Sequence, residues 1–153
     1  MQIVEARRPE EIAIIRELFE EYWQSFGFTP CFQGFSAEVA SLPGDYAPLV
    51  LLLVQGEPAG CAALRPFDRT RIEFKRLYVR PRYRGLGLGH RLMDWIIERA
   101  RVMGYREIVA DTMPQMETAL AMYLRAGFQT TGPYSSDPTP GAVYLRLPLD
   151  TEP

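Results

Sequence analysis

The stretch that most constrains this chain runs from residue 76 to 100, RLYVRPRYRGLGLGHRLMDWIIERA. It reads as a strand, a basic glycine-rich turn and an amphipathic helix. Gly85, Gly87 and Gly89 stand at alternate positions immediately before that helix. The first turn of a helix has backbone N–H groups without intrahelical partners and carries the positive end of the helix dipole. Glycines let a phosphate come close to those groups, and Arg82 and Arg84 add charge beside them. The segment therefore has the chemistry of a cradle for a phosphorylated ligand. The dinucleotide pattern G-x-G-x-x-G is not met, because its third glycine falls on His90, and no G-x-x-x-x-G-K-[ST] run exists.

With 153 residues the chain is long enough to bury a real core as one domain, expected over 1–149 with a frayed tail at 150–153. A net charge of −2 gives no reason to expect a nucleic-acid partner. Cys31 and Cys61 form no C-x-x-C pair, and the single histidine, His90, leaves no credible zinc set, so no metal is expected. MQIVEARRPEE lacks the apolar run of a secretory signal, and PLVLLLV at 48–54 is too short to span a bilayer. A cytoplasmic location with no membrane partner is the default expectation.

Turn signals and periodicity organise the rest. A strand is expected over 2–7, then a helix opened by Pro9, Glu10 and Glu11 with Ile12, Ile15, Leu18, Phe19, Tyr22 and Trp23 at helical spacing. An aromatic loop, QSFGFTPCFQGF, leads to a short helix near 36–41 with Ser36 as N-cap. Strands over 49–54 and 58–65 flank the hairpin signal QGEP, and a third covers 71–79. The glycine-loop helix runs over 88–103 and ends at Gly104. A strand over 106–111 follows, then a helix over 113–126 with Thr112 and Gln115 as a capping box and Gly127 after its end. The last strands are expected over 128–131 and 142–147. The order β-α-α-β-β-β-α-β-α-β-β gives an α/β domain with a mixed central sheet of about seven strands and about four helices.

Arg84, Gly87 and Gly89 supply the fixed positions of Q/R-x-x-G-x-G/A, and the chain resembles the GNAT (GCN5-related) N-acetyltransferases there. The element order is similar to the GNAT fold over essentially the whole chain. The likeness is most specific over 72–128, through IEFKRLYVRPRYRGLGLGHRLM, GYREIVADT and ALAMYLRAGF. The resemblance implies acetyl-CoA as co-substrate and a small-molecule primary amine as acceptor, attacked directly in a ternary complex. A CoA-binding sensor without turnover is the alternative. It implies that the backbone of Arg84, Gly85, Leu86, Gly87, Leu88 and Gly89 holds the pyrophosphate. Main-chain groups of Leu77, Tyr78 and Val79 would pair with the pantetheine arm as another strand would.

The same resemblance assigns chemistry. Tyr123, in MYLRAGF, matches a family tyrosine that donates a proton to the departing thiolate. A phenol of pKa about 10 and a thiol of about 8.5 exchange protons easily. Seven residues earlier, many family members carry an asparagine; here Met116 stands there. Glu73, between Ile72 and Phe74, matches a glutamate that takes the ammonium proton directly or through water, although a salt bridge to Lys75 or Arg76 is the competing reading. The acceptor site is expected between the first two helices and the loop before the last strand, with Tyr22, Trp23, Phe28, Phe32 and Phe35 on one side and Tyr134 on the other. Arg65, Arg69 and Arg71 are candidates for an anionic group on the acceptor. A homodimer through an exposed strand edge near the C-terminus is compatible with this fold.

Overall fold

A computed structural model of the chain describes residues 1–27, 35–136 and 138–149. The expected Phe28, Phe32, Cys31 and the tail at 150–153 lie outside the described residues. The elements are β1 (Gln2–Glu5), α1 (Pro9–Ser25), α2 (Phe35–Ala40), β2 (Leu49–Val54), β3 (Glu57–Pro66), β4 (Arg71–Val79), α3 (Leu88–Val102), β5 (Glu107–Thr112), α4 (Glu117–Arg125), β6 (Gln129–Thr131) and β7 (Val143–Pro148). They build one seven-stranded sheet in the order β1-β2-β3-β4-β5-β7-β6. Among the described residues only β4 and β5 pair in parallel; α3 connects them, as a parallel pair requires.

Strand alternation sorts the core into two layers. Leu49, Leu51, Cys61 and Ala63 face α1 and α2, where Ile15, Leu18, Phe19 and Trp23 are fully or almost fully buried. Val50, Ala62, Leu64, Ile72, Phe74, Ile108 and Ala110 face α3 and α4, against Leu92, Met93, Ile96 and Tyr123. Both faces of the central strands are therefore covered, which is why β2 reads as a continuous apolar run.

Two local expectations are corrected. Helix α2 begins at Phe35, so Ser36 sits inside its first turn and is not the cap. The Thr112–Gln115 capping box does not form, and α4 starts at Glu117 with no side-chain cap. Thr112 is held in β5 by pairing with Val143, and Pro114 disfavours helical backbone at Met113 before it. The QGEP turn closes as expected, with Gln55 and Gly56 both at positive φ between Val54 and Glu57, the backbone of a two-residue hairpin loop.

Two features of β4 create the site. The first is a fork. Pairing between β4 and β5 stops at Phe74–Ala110, although β4 continues to Val79 and β5 to Thr112. Past that point β5 follows β7 and β4 follows β3, so one backbone edge of Leu77–Val79 has no strand beside it. The second is a bulge. Cys61 pairs with Tyr78 and Ala63 with Lys75, so β4 carries one residue more than β3 across this interval. Arg76 takes the left-handed conformation there, at φ 61°.

Candidate active site

That conformation is unfavourable for a long side chain, of order 1–3 kcal/mol, and it persists because the surroundings fix it. The Arg76 guanidinium is buried, bonds both carboxylate oxygens of Glu38 on α2, and lies over the rings of Tyr22, Trp23 and Phe35. Trp23 and Phe35 are stacked at 4.3 Å with nearly parallel rings. Phe35 is thus bound into the core beneath α2, packed against Trp23 and Arg76, and does not stand as an open pocket wall. Gly60 makes the bulge possible from the other side: a Cβ there would meet the Tyr78 carbonyl oxygen at 2.4 Å.

A groove of about 810 Å³ runs along the free edge of β4. Leu77, Tyr78 and Val79 form one wall, the loop residues Arg84, Gly85, Gly87, Leu88, Gly89 and His90 close one end, and Met116, just before α4, stands opposite with Ala119 and Met122 of that helix. Gly85 and Gly87 both need positive φ, and Gly87 is the left-handed residue immediately before α3. Gly89 lets α3 approach α4; a Cβ there would press on the Met122 methyl at 2.8 Å. Leu86 turns its side chain to solvent, 65% exposed, leaving its backbone as its contribution to the loop. The Arg84 Nε donates to the Val79 carbonyl at 2.8 Å and lies over the Tyr78 ring, so the loop is pinned to the strand. Arg82 instead donates to the Tyr83 hydroxyl.

The dimensions suit an extended phosphorylated arm. The unpaired edge of β4 offers the main-chain groups that an added strand would use. The helix N-terminus and its two positive-φ glycines lie at the end where a phosphate would sit.

At the fork the groove meets a much smaller cavity, about 20 Å³, and the two share Leu77, Met116 and Ala119. Tyr22, Lys75, Arg76, Asp111, Thr112, Met113 and Tyr123 complete the small cavity. Tyr123 is only 3% exposed, edge-on to Phe74 and Phe128. Burial, reinforced by the neighbouring Tyr22, Asp111 and Glu73, holds its phenol well above the usual tyrosine range, so it is a proton donor at neutral pH. Met116, at the junction, accepts hydrogen bonds on sulfur from Tyr22 (3.6 Å) and Thr112 (3.3 Å).

Glu73 faces the α1/α2 side next to this cavity. Its Oε1 accepts from Arg65 at 2.7 and 3.2 Å, and its Oε2 accepts from Tyr134 at 2.7 Å. Lys75 Nζ stands 3.9 Å from Glu73 and 3.9 Å from Asp111. Burial alone would raise the Glu73 pKa, but Lys75, Arg65 and the Tyr134 hydroxyl outweigh it and hold the carboxyl below its usual range. Tyr134 therefore meets the site by bonding Glu73, and Tyr22 by lining the cavity. Of the three arginines considered, only Arg65 joins this cluster. Arg71 pairs with Asp68 and lies over Phe67, and Arg69 is exposed.

Sequence reasoning missed Lys75, Arg76 and Asp111 as cavity residues. Glu73 and Lys75 are two apart on a strand and so share a face, and Asp111 directly follows the apolar run Ile108, Val109 and Ala110 of its strand. Those signals were present. Arg76 gave none, because its place depends on the bulge.

Comparison with known proteins agrees with this geometry. Residues 12–128 match the family model described as the acetyltransferase (GNAT) family. An uncharacterised N-acetyltransferase of Schizosaccharomyces pombe is 37% identical over 97% of this chain and 95% of its own length. A Klebsiella pneumoniae structure assigned as an acyl-CoA N-acyltransferase superposes with a TM-score of 0.75 at 27% identity, covering 97% of each chain. A Salmonella typhimurium structure, assigned as an acetyltransferase and solved with its cofactor acetyl-CoA, gives a TM-score of 0.71 at 23% identity over 99% of this chain and 95% of that one. The glycine-loop groove, the fork and the buried tyrosine thus belong to a chain that is a member of the GNAT family of acetyltransferases.

Proposed function

We propose that this protein transfers the acetyl group of acetyl-CoA to a primary amine of a small molecule by direct attack in a ternary complex. The observation that carries the reading is the continuity of the groove. It starts at the glycine loop, follows the unpaired edge of β4, and reaches the cavity lined by Tyr123, Asp111 and Lys75, the last of which stands 3.9 Å from Glu73.

In this reading the N–H groups from Arg84 to Gly89 hold the pyrophosphate. The main chain of Leu77, Tyr78 and Val79 aligns the pantetheine arm. The Val79 carbonyl already accepts from Arg84 and retains a second lone pair, so the arm and Arg84 can share it. That alignment delivers the thioester to the fork and supplies the orientation on which bimolecular acyl transfer depends. Glu73, kept ionised by Arg65, Lys75 and Tyr134, attracts the acceptor's ammonium and takes its proton through an intervening water. Tyr123 donates its phenolic proton to the leaving sulfur. The narrow inner cavity favours a slender primary amine over a bulky one. We place the reaction in the cytoplasm; among the described residues no helix is long and apolar enough to cross a membrane. Pairing of two copies along the exposed edge of β6 would give a homodimer.

The test is CoA-thiol release from acetyl-CoA across a panel of small primary amines, amino acids and polyamines. Turnover confined to one amine class supports the reading. Binding of acetyl-CoA with no release by any amine would move the assignment to a CoA sensor.

A further inference from the structure

Of the 17 lysines and arginines in the chain, Lys75 is the only lysine. The other sixteen are arginines, which stay protonated in proteins; lysine can give up its proton when buried. The sole lysine is also not on the surface. Its side chain is 9% exposed and lines the cavity shared with Tyr123 and Asp111. The cavity in which an amine is to be acetylated therefore already contains a primary amine belonging to the protein.

The contacts of Lys75 leave its nitrogen available. At 3.9 Å from Glu73 and 3.9 Å from Asp111, it is beyond hydrogen-bond distance of either carboxylate. Glu73 is already bonded by Arg65 and Tyr134. Burial and the charge of Arg76 weaken the hold of Lys75 on its proton, against the opposing pull of Asp111 and Glu73.

We propose that Lys75 is itself an acetyl acceptor, modified by the protein's own active site when acetyl-CoA is present and no small amine competes. This rests on the acetyl-CoA reading of the groove. The step balances as follows. The Lys75 ammonium loses one proton to solvent by way of Asp111. The neutral nitrogen attacks the thioester carbonyl, forming the C–N bond as the C–S bond breaks. Tyr123 protonates the departing sulfur and is reprotonated by the second proton lost from nitrogen. Ammonium and thioester become amide, thiol and one released proton, with no redox change. Acetyl-Lys75 would be neutral, would fill part of the cavity and would no longer place a positive charge between Glu73 and Asp111. The modified protein is thus expected to acetylate added amines more slowly.

The experiment is incubation of the folded protein with acetyl-CoA and no amine, followed by intact mass and peptide mapping. Binding of acetyl-CoA is measured by calorimetry on the same sample. The expected result is one acetyl group on Lys75, formed faster in the folded protein than in the urea-unfolded chain, and slowed about 10²-fold or more in Tyr123→Phe. Lys75→Arg should bind acetyl-CoA and acquire no such modification. Wild-type protein that binds acetyl-CoA but leaves Lys75 unmodified, or modified no faster than when unfolded, overturns this inference alone. Absence of acetyl-CoA binding overturns the reading beneath it as well.

Discussion

The Arg76 guanidinium donates to both carboxylate oxygens of Glu38, at 2.9 and 2.7 Å, and so ties α2 to the bulge of β4. Both side chains are largely withdrawn from water, at 4% and 12% exposure. A buried pair of this kind contributes little net stability compared with a well-packed apolar pair, but breaking it leaves an uncompensated charge. Glu38→Ala is expected to destabilise the fold by about 3–5 kcal/mol. Replacing both residues together should cost less than the sum of the single changes, a coupling that denaturant titration of the double-mutant cycle measures.

Gly60 and Tyr78 meet across the same bulge. Because an added Cβ would stand 2.4 Å from the Tyr78 carbonyl, Gly60→Ala must displace the strand segment that lines the groove. We expect a loss of about 1–3 kcal/mol in stability and, in addition, weaker acetyl-CoA binding. Gly56→Ala serves as the comparison, since nothing lies within 4 Å of its Cβ position and Gly56 does not line the groove. It should cost some stability through its positive φ and leave binding unchanged in calorimetry.

The Tyr134 hydroxyl donates to the ionised form of Glu73, so removing it raises the carboxyl pKa. Activity that requires the Glu73 anion is lost as pH falls through that pKa. In Tyr134→Phe the acid limb of the kcat/KM profile is therefore expected at higher pH than in wild type. An unchanged limb would mean that the titrating group is not Glu73.

Glu11 gives a stability counterpart. Its carboxylate accepts from the Arg7 and Arg8 N–H groups at 3.0 Å each, and from the Arg8 side chain, which lowers its pKa to about 2. A carboxyl depressed in the folded state adds stability above its unfolded pKa, and that contribution is lost as pH falls toward the folded value. Glu11→Gln should therefore lower Tm at neutral pH, with the difference from wild type shrinking below about pH 4.3, the unfolded value for glutamate, and vanishing near pH 2. Thermal melts across that range provide the check.

Much of this architecture was legible before any coordinates. Strands β2 and β4 occupy the residues their patterns indicate, and Gly104 and Gly127, both at positive φ, follow the ends of α3 and α4. The glycine loop and Tyr123 were readable because each sits in a dense local motif. The start of α4 is hidden in the sequence because Thr112 and Gln115 have capping-box spacing, while Pro114 between them delays the helix to Glu117. The charged interior around Lys75, Arg76 and Asp111 was not foreseen, since it depends on where two strands separate and where one gains a residue. Neither event has a glycine or proline within β4 to announce it. The bulge is supported from outside the strand, by Gly60 on β3 and Glu38 on α2.

The central claim is that Tyr123 acts at the end of the acetyl-CoA groove as the acid for the leaving thiol. Its most direct test compares wild type with Tyr123→Phe, measuring thiol release with the preferred amine alongside calorimetric binding of acetyl-CoA. The account predicts that kcat falls about 10²–10⁴-fold while acetyl-CoA affinity and Tm remain close to wild type. Full turnover in Tyr123→Phe with an intact fold would contradict it.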